Sequence, residues 1–404
     1  MRVLMLHNRY LERGGEDTSF LMDRELLRSS GNTVVSYVED NERIKELGSL
    51  RTAVQSIWSV DSYRNILRIL SESQFDIMHV QNFFPLISPS VYYAAAAKGV
   101  PVVQTLRNYR LLCVSGTLSR DGGVCEQCIG KSAPWPGVIK GCYRNSTPAS
   151  AVAGSMVAIN RLMGTWQNKV DAYIALTRFS RNKFVQAGLP AEKIYYKPNS
   201  LQPIPEVGPG GGRFALFVGR LTQEKGIETL IRAWRQLPAQ IPLKIVGTGP
   251  LEGPMQDLAK GSPNIEFLGW RNPPEVMDML GAADFLVFPS EWYEGCPRVI
   301  LEAFAKGTPV IGARLGSAAE MIEDESTGYL FRPGDAGDLT ATVSKAFSEK
   351  TDRGAMRTAA RQEFLQQYTD NRNLPRLLEI YRAAIDTKRK REFPKTIGDT
   401  SETF

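Results

Sequence analysis

The 404 residues carry 49 Lys and Arg against 43 Asp and Glu, a formal net charge of +6, with 43% apolar and 23% charged residues. That balance excludes disorder, collagen and coiled coil, and five cysteines are too few for a disulfide scaffold. At about 100–200 residues per domain, two or three domains are expected, and the modest positive charge by itself selects no partner.

The first apolar run, at 2–8, is too short for a signal peptide and predicts a β-strand. Runs rich in Val, Ile, Phe and Tyr follow at 33–38, 75–81, 101–106, 171–176 and 193–197, then at 213–219, 243–247, 264–268, 284–289, 308–313 and 328–331. None approaches the ~18–20 residues of a membrane-spanning helix, and the expected compartment is the cytoplasm. Near-continuous apolar strands alternating with helix-like stretches predict parallel sheets covered on both faces. A Pro/Gly cluster separates six runs from six, so the expected architecture is α/β, with two doubly wound domains facing each other across a cleft: 1–198, a linker at 199–212, and 213–370. Ligands of such sheets bind beyond the carboxyl ends of the strands. Helical spacing of Leu377, Leu378, Ile380, Tyr381 and Ile385 predicts a C-terminal helix over 371–390 that packs back on the first domain. Lys388, Arg389, Lys390 and Arg391 lead into a polar tail at 391–404, either solvated or in contact with a membrane surface or nucleic acid.

A loop-like insertion at 108–145 holds Cys113, Cys125, Cys128 and Cys142. The C-x2-C knuckle with two flanking cysteines suits a closed structural zinc site of four thiolates. Disulfides and free thiols are the alternatives. The insertion follows Arg107, which places it at the mouth of the cleft.

Four loops of the second half carry the chemistry. Arg220 and Lys225 follow the first strand there and suit a diphosphate held without metal; taken alone, they are equally two solvated cations. Gly247-Thr248-Gly249-Pro250 lets backbone come close to a ligand, although Glu252 stands where a dinucleotide fingerprint has its third glycine. Leu268-Gly269 is a further weak signal. The strongest is the stretch from Ser290 to Gly307, in which Pro297 is expected as the first helical residue and Gly307 as the stop. The N-terminus of that helix offers free N–H groups to an anion. Glu294 and Glu302, about two helical turns apart, can both touch one elongated ligand. Cys296 in the same loop is either a packing residue or part of the site.

Arg220…Lys225, Gly247-Thr248-Gly249-Pro250 and Glu294-x7-Glu302, in this order, resemble the donor-binding half of the retaining family 4 glycosyltransferases of GT-B fold. Gly14-Gly15-Glu16 resembles the glycine loop of their first Rossmann-like domain. The resemblance implies transfer of a hexose from a nucleotide sugar, UDP-hexose first, to a glycan or polyprenyl-linked acceptor of envelope or exopolysaccharide synthesis. It implies retention of configuration and no catalytic metal, and the sequence has no Asp-x-Asp pair. It implies that Arg220, Lys225 and the helix at Pro297 neutralise the leaving diphosphate. Glu294 would bind the donor sugar, Glu302 the ribose, Gly295 and Cys296 further hydroxyls through their N–H groups, Gly247, Leu268 and Gly269 the nucleotide, and Gly14 and Gly15 the diphosphate from across the closing cleft. Such enzymes often work at the inner face of the cytoplasmic membrane, and basic and aromatic residues such as Arg51, Trp58, Arg161, Met163 and Trp166 either contact anionic lipid or pack normally on the sheet. No nucleic-acid partner is expected. The family usually has a histidine where this chain has Arg107, and the two histidines present, His7 and His79, lie elsewhere. Arginine cannot serve as a base, so Arg107 marks either a functional variant holding a hydroxyl or phosphate oxygen, a weakened enzyme, an introduced substitution, or a non-catalytic nucleotide-sugar binder.

Overall fold

Among the described residues, twelve of the fourteen strands fall on the twelve apolar runs. The computed structural model describes residues 1–11 and 14–392. Strands β1 (Arg2–Arg9), β2 (Thr33–Asp40), β3 (Ile77–Asn82) and β4 (Val102–Leu106) lead into a short hairpin, β5 (Ser119–Arg120) and β6 (Gly123–Val124), then β7 (Ala172–Ala175) and β8 (Ile194–Tyr196). The second half supplies β9 (Ala215–Val218), β10 (Leu243–Val246), β11 (Ile265–Gly269), β12 (Phe285–Phe288), β13 (Val310–Ala313) and β14 (Gly328–Phe331).

The first sheet has the order β2-β1-β3-β4-β7-β8 and the second β11-β10-β9-β12-β13-β14, all parallel. Both orders reverse direction beside their first strand, and such a switch point opens a crevice at the carboxyl ends. The strands are buried on both faces, as with Val3 to Leu6 and Phe285 to Val287, because helices cover both sides. These are the two doubly wound, Rossmann-like domains that the runs predict.

The Pro/Gly cluster is docked along much of its length. Gly208 N–H donates to the Lys306 carbonyl at 3.0 Å, Gly210 N–H to Gly281 at 2.9 Å and Gly212 N–H to Ala282 at 3.0 Å. A Cβ on Gly208 would lie 2.2 Å from the Gly281 Cα. Here glycine permits close backbone packing rather than looseness.

The last helix, Asp370–Glu392, returns to the first domain. Leu377, Ile380, Tyr381 and Ala384 join a core with Val3, Met5, Phe20 and Val103, and the Tyr381 hydroxyl meets His79 Nδ1 at 2.7 Å. The basic run forms the last turn of this helix, which continues two residues past the expected end at 390. Lys388 is buried, and Arg391 Nη2 lies 2.9 Å from Asp171 Oδ1. Cations at a helix C-terminus are favoured by its dipole, and the Asp171 carboxylate gives Arg391 a partner. Of the expected tail, 393–404 lies outside the described residues.

Trp166, one of the side chains offered to lipid, is a core residue, 1% exposed and stacked on Phe83. Trp58 packs against Tyr63 and Tyr93. Among the described residues no helix is long and apolar enough to cross a membrane.

Candidate functional site

The two domains meet around a cavity of about 340 Å³ at the carboxyl ends of their sheets. Its first-domain wall includes Tyr10, Gly15, Glu16, Asn108 and Arg110; its second-domain wall includes Trp292, Glu294, Gly295, Cys296 and Arg298. A second cavity of about 240 Å³ is lined by Val218, Lys225, Pro297 and Val299, and shares Glu294, Cys296 and Arg298 with the first. The pair forms an elongated space running from the cleft into the second domain.

Glu294, on the second-domain wall, is held at one oxygen. Its Oε1 accepts from Lys225 Nζ at 2.5 Å, Trp292 Nε1 at 2.8 Å and Ser290 Oγ at 3.2 Å. Lys225 also lies over the Trp292 ring, 5.5 Å from its centroid. The following helix, Arg298–Ala305, begins one residue later than expected: Pro297 is its N-cap, in extended conformation, and Arg298 is the first helical residue. Proline has no side-chain acceptor, so no side chain caps the first turn of this helix. Gly307, at φ +71°, stops the helix as expected.

Glu302 faces Arg298 four residues back, at 3.6 Å. Burial pushes its carboxyl up, and Arg298 offsets only part of that. Glu302 does not line either cavity. Arg220 is exposed just beyond β9 and does not line them either.

The glycines divide into two groups. Gly247, at φ +131°, closes onto β9: a Cβ there would lie 1.9 Å from the Gly219 carbonyl oxygen. A Cβ on Gly249 would lie 2.5 Å from the Leu221 carbonyl oxygen, and Gly247 N–H donates to Gly269 O at 2.8 Å. The Gly247-Thr248-Gly249-Pro250 loop is therefore packed on the Arg220 loop and the Leu268-Gly269 end of β11 is bonded to Gly247, and none of them lines the two cavities. Gly15 lines the larger cavity beside the Arg298 side chain. Gly14 caps the helix Gly15–Ser29 with open space around it. Gly295 stands where a Cβ would meet the Arg107 carbonyl oxygen at 2.8 Å, so it allows the domains to touch.

Arg107 lies at the end of β4, and its guanidinium is spent inside the protein. Nη1 donates to Asn199 Oδ1 at 2.6 Å, Nε and Nη2 to Gln81 Oε1 at 2.9 and 2.6 Å, and Nη2 to Asp23 Oδ2 at 2.8 Å. Lys197 Nζ donates to the other Asp23 oxygen at 2.8 Å. Burial alone would raise the Asp23 carboxyl, but these two cations hold it well below the usual carboxylate range. Asn199 Nδ2 in turn donates to the Cys296 carbonyl at 3.3 Å, across the domain boundary. Burial pushes the Cys296 thiol up, so it is a neutral packing group at physiological pH.

The cysteine insertion reaches the donor loops at two points. Tyr293 OH donates to Glu126 Oε1 at 2.8 Å, and Lys183 Nζ donates to the same oxygen at 2.6 Å. Gly122 lies so close to Gln223 that a Cβ would sit 2.4 Å from its side-chain nitrogen. All five cysteines are free thiols in this structure. Among the described residues no three metal-ligating side chains converge on one point. The four insertion thiols do share one neighbourhood: burial, with the other three, pushes Cys128 up to about 11.

Further contacts tie the domains together. The N–H groups of Arg178 and Phe179, at the start of the helix Arg178–Gln186, donate to Glu320 of the second domain at 2.8 and 2.6 Å. Thr177 and Ser317 hydroxyls meet at 3.0 Å. Sequence reasoning missed Arg298, Trp292, Tyr293, Glu126 and Asn199. The i,i+4 spacing of Arg298 and Glu302 was a usable signal, and Trp292 lies two residues from Glu294; Tyr293, Glu126 and Asn199 meet their partners only through the fold.

Residues 42–200 match the family described as Glycosyl transferase 4-like domain, and residues 204–363 match Glycosyl transferases group 1. The sulfoquinovosyl transferase SQD2 of Arabidopsis thaliana is 32% identical over 37% of this chain and 29% of its own length. The amylovoran biosynthesis glycosyltransferase AmsK of Erwinia amylovora is 28% identical over 52% of this chain and 56% of its own length. The chain thus spans about a third to just over half of these curated relatives. The crystal structure of HepE from Anabaena in complex with UDP superposes with a TM-score of 0.66 at 18% identity, covering 94% of this chain and 99% of that one. At that identity it establishes the shared fold, the GT-B arrangement of two facing domains.

Proposed function

We propose that this chain, a glycosyl transferase 4-like domain followed by a glycosyl transferases group 1 domain, transfers a hexose from a nucleotide-diphosphate sugar to a glycan or lipid-linked glycan hydroxyl, with retention and without a catalytic metal. The observation that carries the reading is the Glu294 carboxylate, fixed by Lys225 and Trp292 where two adjoining cavities meet at a helix N-terminus. A helix N-terminus and a lysine suit a diphosphate, and a fixed carboxylate suits sugar hydroxyls. UDP-hexose is the first choice of donor, supported by the UDP complex of HepE. An acceptor in extracellular polysaccharide assembly is supported by the amylovoran relative.

In this reading Lys225 and Arg220 neutralise the leaving diphosphate, which is the largest electrostatic contribution. Gly15, Gly295, Cys296 and Pro297 shape the sugar end. Gly14, Gly247, Leu268, Gly269 and Glu302 support the nucleotide end, directly or through Arg298 and the packed loops. Arg107 acts by holding Asn199 and the donor loop. The test is a thermal-shift panel of UDP, GDP, ADP and their hexose conjugates with chelator present. A ligand at a hundred times its dissociation constant adds about 2.7 kcal/mol. A shift with one nucleotide supports the reading, no shift with any counts against it, and product anomeric configuration by NMR decides retention.

Structural zinc at Cys113, Cys125, Cys128 and Cys142 is part of the proposal, on the chemistry of four neighbouring thiols. Bound zinc would keep these thiols ionised and fix the insertion that carries Glu126. Protein purified without chelator should hold close to one equivalent, and less than about 0.2 would sink the assignment. We also place the protein at the cytoplasmic membrane face. Exposed Leu50, Val54, Trp135, Ile139, Leu162 and Met163 lie on or next to helices that pack on one another, with Arg51 and Arg161 nearby in the chain, the composition of an interfacial surface. Sedimentation with anionic but not neutral vesicles tests it.

A further inference from the structure

Among the described residues three cations line the larger cavity, Arg107, Arg110 and Arg298, and the smaller one adds Lys225. Three of these four have a carboxylate partner: Arg107 has Asp23, Arg298 has Glu302 and Lys225 has Glu294. Among the described residues Arg110 has none. Glu16, a carboxylate of the same wall, accepts instead from Asn108 Nδ2 at 3.0 Å.

Arg110 is only 8% exposed. It follows β4 in a turn that Tyr109 N–H closes on the Gly116 carbonyl at 2.9 Å. Its guanidinium carbon lies 4.5 Å from the centroid of the Phe84 ring and 4.8 Å from that of Tyr143, and Nη1 donates to the Val114 carbonyl. Nε is closed to solvent and has no partner, whereas Nη2 is neither bonded nor closed off. Two rings and a carbonyl fix the group without neutralising it, and a buried charge left unpaired is costly. Gly116, at φ +81°, keeps the cavity side of the group clear: a Cβ there would lie 3.1 Å from Cζ and from Nη2. The hydroxyls of Ser115 and Thr117, 2.8 Å apart, line the same cavity. A guanidinium edge beside two hydroxyls is a donor set for an oxyanion.

The geometry points to Arg110 as the binding group for an oxyanion carried by the acceptor, a phosphate or a carboxylate, so that the acceptor is an anionic glycan or a glycan phosphate. The inference rests on the glycosyltransferase reading and names a property of its acceptor. The donor's own diphosphate is the competing anion, and its groups stand elsewhere. Lys225 and Pro297 line the smaller cavity, which Arg110 does not, and Arg110 belongs to the first-domain wall of the larger one. Arg110 makes and breaks no bond; it selects and places the acceptor.

The experiment uses the whole chain saturated with whichever of UDP, GDP or ADP gives the thermal shift, so that the diphosphate position is filled. Glucose, glucuronate and glucose 1-phosphate are then titrated in by calorimetry at fixed ionic strength. Wild type should bind one of the two charged probes at least about tenfold tighter than glucose, and the tighter of the two tells phosphate from carboxylate. Arg110→Met, which keeps an apolar stem over the two rings, should keep the nucleotide shift and lose that preference, and Arg110→Lys should retain part of it. A wild type that binds all three probes alike, or none of them, overturns the inference whether or not the variants fold. An Arg110→Met protein that keeps the preference also overturns it. One that loses the nucleotide shift at an unchanged unfolding midpoint assigns Arg110 to the donor diphosphate, which overturns it as well. A wild type shifted by no nucleotide sinks the glycosyltransferase reading, and the inference falls with it.

Discussion

The Arg107 guanidinium donates to the Asn199 side-chain oxygen at 2.6 Å, and Asn199 passes the connection to the Cys296 carbonyl in the donor loop. The side chain found where the resemblance expects histidine is thus a clamp between the Asp23 site and the domain boundary. Removing Asp23 leaves two buried cations uncompensated, whereas removing Arg107 leaves Asp23 paired with Lys197 and strips Gln81 and Asn199 of a buried donor. Arg107→Ala should therefore cost about 1–3 kcal/mol and Asp23→Asn about 3–5 kcal/mol, with the double variant losing less than the sum. Thermal unfolding checks this, and an Arg107→Ala midpoint within a degree or two of wild type would refute the clamp. Transfer activity should survive with arginine in place; an inactive wild type rescued by Arg107→His would refute that.

Acid should unfold the first domain through His79. Burial, reinforced by Arg107 and Lys197 and opposed by Asp23, pushes this imidazole down to about 3. The unfolded chain takes up the proton near pH 6.5, so between those values it binds more protons than the folded state. Stability then rises with pH, by up to ~1.4 kcal/mol per pH unit for this group. The histidine contribution is complete above about pH 6.5 and is lost as pH falls toward about 3. Asp23, held low by its cations, adds to the loss below its unfolded value of about 3.9. Denaturant titrations at several pH values should give this slope in wild type and a flatter one in His79→Gln, which keeps a polar group for Tyr381 and Thr105. Equal slopes would exclude His79 as the cause.

The strands were legible because a parallel strand buried on both faces is nearly all apolar, as Phe285-Leu286-Val287-Phe288 is. The run ends were less so: Asp171 sits in an apolar run yet lies outside β7, where its carboxylate accepts from the Val102 N–H at 2.9 Å. The Glu294 loop was legible because its residues lie within a few positions of one another. The Glu126–Tyr293 bond spans 167 positions and the Arg107–Asn199 bond 92, and no local pattern encodes either. The glycine loop has a packing reason that the sequence does not display: Gly247 and Gly249 permit the neighbouring Arg220 loop to approach closely.

Two glycine substitutions should separate packing from function. Gly247→Ala meets a backbone oxygen at 1.9 Å from a left-handed φ, so strain alone should cost at least about 1–3 kcal/mol and lower the midpoint. Gly295→Ala meets the Arg107 carbonyl between the domains at 2.8 Å. It should leave each domain's core intact while holding the cleft open, so that donor turnover falls more than stability does. Gly14→Ala has open space around it and should change stability by less than about 0.5 kcal/mol. A Gly247→Ala protein as stable as wild type would disprove the packing role.

The three donors to Glu294 end on one oxygen, Oε1, and Oε2 takes none of them. That asymmetry divides the labour of the loop. Lys225 neutralises Oε1 and faces the smaller cavity, so it serves the diphosphate, while Oε2 is left to accept from a donor sugar hydroxyl. Lys225→Ala should weaken nucleotide binding itself, reducing or abolishing the thermal shift. Glu294→Gln should keep the nucleotide shift, because its contact is to the sugar, and lower turnover by ~100-fold. Trp292→Phe keeps the stacking surface over Lys225 and removes one N–H donor, so it should lower turnover by only about tenfold, through a less rigid carboxylate. The comparison that matters is nucleotide alone against nucleotide sugar. Wild type should be shifted further by the sugar conjugate, Glu294→Gln equally by both, and a Glu294→Gln protein that still prefers the conjugate would place the sugar somewhere else in the cleft.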